Sequence, residues 1–116
     1  MRALILSTVI FLSACSGLPS FYDDNESLLS VQVRHQVEKL NCGAPDVQPL
    51  KDSVDMLSLY SESKRSSDIG ELIVLMKETT NGLYQKEQIS EPYCNLKKKV
   101  LQKQSSDIAS AIMRRY

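Results

Sequence analysis

The feature that most constrains the fold is the apolar run at the start of the chain, because it withdraws the first fourteen residues from the folded domain. Met1-Arg2 supplies a positive charge, Ala3 to Leu12 is predominantly apolar, and small residues follow at Ser13-Ala14. This is the length and order of a signal peptide. It is too short to span, since a bilayer core takes about 20 apolar residues in a helix. A chain of 116 residues, less these fourteen, has room for one small domain. Such a domain buries only about two-thirds of its unfolded surface and gains from a covalent staple.

Leu12-Ser13-Ala14-Cys15 resembles a bacterial lipobox, with Leu12 three places before the cysteine and small residues between. The resemblance implies cleavage after Ala14 and a thioether from Cys15 to diacylglycerol. An added acyl group on its amine would bring the lipid chains to three, and two or more chains anchor stably. Among such lipoproteins Asp directly after the cysteine favours the inner membrane, so Ser16 implies passage to the periplasmic face of the outer membrane.

Ser16 to Asp24 mixes turn formers without a period and reads as a tether, with Phe21 and Tyr22 as a hydrophobic staple on the first helix or, as the alternative, a membrane-interface contact. Residues 25–116 read as a helical domain. A first helix runs from about Asn25 to Asn41 on the stripe Leu29, Val33, Val37 and Leu40, and ends at Cys42-Gly43-Ala44-Pro45, where Gly43 suits a left-handed cap. Pro49 opens a second helix bearing Leu50, Val54, Leu57 and Tyr60 or Ser61, with Leu59 a further core candidate. Ser61 to Ser67 reads as a polar connector.

Asp68 and Glu71 have capping-box spacing ahead of a third helix, whose face is Ile69, Leu72, Ile73, Met76, Thr80 and Leu83 or Tyr84. Asn81-Gly82 is a weak point in its last turns. After a turn at Lys86 to Ser90, a fourth helix carries Tyr93, Leu96, Val100, Leu101, Ile108, Ala111 and Ile112 to the basic end Arg114-Arg115. The fold class is therefore all-α, a small disulfide-stapled bundle of about four helices.

Cys42 and Cys94 are the thiols left after lipidation, and an exported compartment is oxidising. A structural bond within one chain is the default reading. A bond to a second copy or partner, which would leave a homo-oligomer open, and a redox pair are the alternatives, although no Cys-x-x-Cys exists.

Nothing assembles into catalytic chemistry, so the expectation is a non-enzyme without cofactor or metal. His35, the sole histidine, lies off the apolar stripe of its helix and reads as solvated. Zinc wants three or four His or Cys donors, which one histidine and two paired thiols do not supply. Ser61-Glu62-Ser63-Lys64 matches Ser-x-x-Lys by chance, and Asp23-Asp24 falls in the tether. With 14 basic and 14 acidic residues, and a mature chain one charge negative once Arg2 is lost, nucleic acid is a poor partner. Lys97, Lys98 and Lys99 spread around a helix and normally just solvate it; with Lys103, Arg114 and Arg115 they are also the candidate basic flank for a protein partner or anionic lipid.

The lipobox, Phe-Tyr-Asp-Asp at 21–24, Leu-Tyr-Ser-Glu-Ser-Lys at 59–64 and Tyr-Cys-Asn-Leu-Lys-Lys-Lys at 93–99 together resemble small phage lipoproteins, in particular the outer-membrane subunit of a spanin complex. That resemblance implies a periplasmic domain hung from the outer membrane, binding an inner-membrane coiled-coil subunit and helping to fuse the two membranes in host lysis. Many such subunits are proline-rich, whereas this chain has four prolines and reads as globular. An exclusion lipoprotein that blocks a membrane protein, and an enzyme-inhibitor lipoprotein using Ser61 to Ser67 as a rigid loop, are the other classes this pattern fits.

Overall fold

The computed structural model describes residues 23–115. The signal segment 1–14, Cys15 and the tether as far as Tyr22 lie outside the described residues. Four helices fill the rest: α1 (Asp24–Lys39), α2 (Gln48–Lys64), α3 (Ser67–Tyr84) and α4 (Glu91–Met113). Each packs against its two neighbours in the cycle α1, α2, α3, α4, and the diagonal pairs make no close backbone approach. This is the expected all-α bundle, with short connections between antiparallel neighbours.

The anticipated faces of α1 and α3 are the buried ones. Val33, Val37 and Leu40 meet Leu50, Val54 and Leu57 of α2 and Ile69, Ile73, Met76 and Leu83 of α3 in one core, with Leu29 and Leu72 at its edge. Burying a side chain of this size contributes about 1.5–3 kcal/mol, so these rows supply the main driving force. Asn81-Gly82 does not interrupt α3, which continues to Tyr84. Leu83 below it is fully buried and holds that last turn.

Several local expectations are corrected. Asp23 and Asp24 belong to the bundle: the Asp23 carboxylate accepts the Glu26 N–H at 3.0 Å as the N-cap of α1. Gly43 does not take the left-handed conformation, because α1 already ends at Leu40 in extended backbone and the Asn41 side chain accepts the Gly43 N–H. The left-handed residue is Arg65 (φ 60°), which terminates α2. Accordingly 61–64 is helix, and the connector shrinks to Arg65-Ser66. The capping box on Asp68 is absent; Ser66 stands at the N-cap and the Asp68 carboxylate meets Arg115.

In α4 the expected row holds at Leu101, Ile108, Ala111 and Ile112, which are buried, and fails at Leu96 and Val100. Ser90 caps the helix, and Cys94, Leu101, Ser105, Ile108 and Ile112 point inward, leaving Leu96 and Val100 exposed. Leu59 is likewise exposed on the outer side of α2.

Candidate functional site

At the end of the bundle where the chain arrives from Cys15, four helix termini share a polar cluster. Glu26 is fully buried (0% exposed), one turn into α1. Its carboxylate accepts hydrogen bonds from Ser61 (2.8 Å) on α2 and Ser66 (2.7 Å) in the turn before α3, and pairs with the Arg115 guanidinium that follows α4. Arg115, its side chain 3% exposed, also makes a two-pronged contact with Asp68, at 2.7 Å through both Nε and Nη2. The hydrogen bond to Asp68, then Glu26, hold this guanidinium charged well above its usual range. Lys64 lies 3.5 Å from Asp23 and 3.9 Å from Glu26.

Asp23 completes the cluster. Its carboxylate takes the Tyr60 hydroxyl at 3.0 Å on each oxygen, and the Glu26 N–H holds its pKa below the ordinary carboxylate value of 3.8, helped by Tyr60 and Lys64. A carboxyl whose folded pKa is depressed adds stability above its unfolded pKa and loses it as pH falls through the folded value. We therefore expect the acid limb of unfolding, below about pH 4, to flatten in Asp23→Asn. A urea titration across that range checks this; an acid limb as steep as the parent's would remove Asp23 from the account.

The opposite end carries the covalent staple. Cys42 and Cys94 are bonded within the chain, Cα to Cα 5.5 Å, joining the segment after α1 to the first turn of α4. One turn on, the Lys98 ammonium donates to the carbonyls of Glu38 (3.1 Å) and Leu40 (2.9 Å), groups that α1 leaves open at its C-terminus. Lys97 lies over the Tyr93 ring at 5.6 Å, with Lys86 at 4.1 Å, and Lys99 is exposed. The three lysines thus have three environments. His35 is exposed, as expected from its place off the stripe.

Sequence reasoning missed the inward charge at Glu26 and the role of Arg115. The signal was present in the spacing 26, 30, 33, 37, 40, which continues the α1 stripe back through Ser30 to an acidic residue. Among the described residues no group of three His, Cys, Asp or Glu could hold a metal ion, and no helix is long and apolar enough to cross a membrane. A buried, fully bonded ion-pair cluster of this kind fastens helix ends; it offers no free base or nucleophile aimed at a cavity.

Between the C-terminal half of α2 and the outer side of α3 runs a groove of about 740 Å³, lined mainly by apolar surface. Ser58 and Glu62 of α2 and Gly70, Ile73, Val74 and Leu75 of α3 are among the residues that line it. No protein family matches this chain, and neither a curated protein nor a solved structure is similar to it at a significant level.

Proposed function

We propose that the chain is an outer-membrane lipoprotein anchored through Cys15, its bundle a periplasmic interaction domain, and that it acts as the outer subunit of a phage spanin complex. In that role it pairs with an inner-membrane subunit and disrupts the outer membrane in host lysis. The observation that carries the reading is the lipobox Leu12-Ser13-Ala14-Cys15, with its cysteine eight residues ahead of Asp23, where the bundle begins. Eight extended residues reach about 26–29 Å, so lipid on Cys15 keeps the clamped end of the bundle close to the membrane. A domain held there, stapled for an oxidising compartment and lacking an assembled reaction centre, works by contact.

Anchoring must then matter. Cys15→Ser is expected to abolish lysis, leaving intact spherical cells when holin and endolysin are supplied, while the domain still folds and binds its partner. Lys97→Glu combined with Lys99→Glu tests the basic flank of α4, with Lys98 left in place because its ammonium holds the end of α1. If deletion of the gene leaves lysis timing and membrane disruption unchanged in millimolar magnesium, the spanin role is wrong and an exclusion lipoprotein takes its place.

A further inference from the structure

We infer that the groove between α2 and α3 is the docking site for one amphipathic helix of the periplasmic partner, a helix whose apolar stripe is flanked by Lys or Arg. The inference rests on the interaction-domain reading above and names the surface and the chemistry it takes.

Three properties of the groove lead there. Its apolar wall is open, with Val74 54% and Leu75 51% exposed although α3 also supplies four core residues. Its base admits close approach, because a Cβ added at Gly70 would meet nothing within 4 Å, and Ser58 and Ser67 beside it are small. From Ser67 to Leu75 the groove follows α3 for about 12 Å, a little over two turns of a partner helix at 1.5 Å per residue. Anchors at i, i+3 or i+4, and i+7 would fill that length.

Charge selects the occupant. Glu62 on α2 and Glu71 on α3 flank the groove, both exposed, and neither carboxylate pairs with a cation among the described residues. Arg65 stands at the mouth nearest the tethered end. Acidic rails repel an anionic lipid surface. The chain's own residues 16–22, Ser-Gly-Leu-Pro-Ser-Phe-Tyr, carry no cation to meet them. A helix with basic flanks satisfies both the apolar base and the rails, and rim charges of this kind set partner choice and association rate.

The test places a photoreactive benzoylphenylalanine at Val74 of the full chain in its native envelope, with His35 on α1 and Leu96 on α4 as control positions. The expected adduct from Val74 maps by mass spectrometry to a helical segment of an envelope protein with Lys or Arg beside its apolar stripe. Glu62→Lys with Glu71→Lys should cut that adduct by about tenfold without changing the melting curve, and reversing the partner's basic residues should restore it. An adduct on lipid, on a second copy or on residues 16–22 overturns the inference, as does one indifferent to the charge reversal. Adducts from His35 or Leu96 with none from Val74 overturn the groove while leaving the partner reading intact. No adduct from any face overturns both.

Discussion

Replacing Arg115 with alanine should lower the stability of the bundle by about 3–5 kcal/mol, because it leaves the fully buried Glu26 carboxylate without its guanidinium. For a domain of this size each kcal/mol shifts the melting temperature by about 4–8 °C, so the fall should be roughly 12 °C or more. The cost arises from a buried charge left with only the more distant Lys64, 3.9 Å away, and not from the intrinsic worth of the pair. Glu26→Met combined with Arg115→Met should therefore recover part of the loss, since an apolar pair of similar volume can match a buried ion pair while the Ser61 and Ser66 hydroxyls lose their acceptor. Thermal unfolding followed by circular dichroism reads all three variants. A fall of less than about 4 °C in Arg115→Ala would mean that the cluster does not fasten the helix ends.

Reducing the Cys42–Cys94 bond, or replacing both cysteines with alanine, should cost about as much. The bond closes a loop of 52 residues, and in the chain-entropy description a loop of that length restrains the unfolded chain by about 4 kcal/mol. The oxidised domain should run as a monomer on non-reducing gels, and its melting temperature should fall on adding reductant. The bond and the Glu26–Arg115 pair sit at opposite ends of the bundle, so their losses should add. Together they amount to about 7 kcal/mol or more, comparable with the whole stability of an ordinary domain. Arg115→Ala in reductant should be largely unfolded at 37 °C, and a folded protein there would contradict both estimates.

The helices were legible because their buried rows repeat at helical spacing without a break: Val33 and Val37 in α1, Leu50, Val54 and Leu57 in α2, Ile69, Ile73, Met76 and Leu83 in α3. Where one helix carries two apolar rows, spacing alone could not choose between them. In α4 the row through Leu96 and Val100 competes with that through Cys94 and Leu101, and the bond to Cys42 helps fix which faces inward. Leu59 was misplaced for a related reason: an apolar side chain names no direction until its neighbours are known. The segment 61–64 looked like a linker because its residues are polar, yet Ser61 is drawn inward by the Glu26 carboxylate and the helix runs on to Lys64. Asp68 shows the converse: its spacing to Glu71 suits a capping box, yet it lies inside the first turn of α3 and Arg115, 47 residues away, takes its carboxylate. The misses in α4, at 61–64 and at Asp68 each turn on a long-range polar or covalent partner, which periodicity does not carry.

The claim that organises the rest is the lipid on Cys15, and the intact mass of the mature protein from the outer-membrane fraction tests it most directly. The account predicts a chain that begins at Cys15 and carries a diacylglyceryl thioether with an amide-linked acyl chain, together with accumulation of the longer precursor when the lipoprotein signal peptidase is blocked by globomycin. A chain that retains Met1, or one that is cut elsewhere and carries an unmodified Cys15, would contradict it.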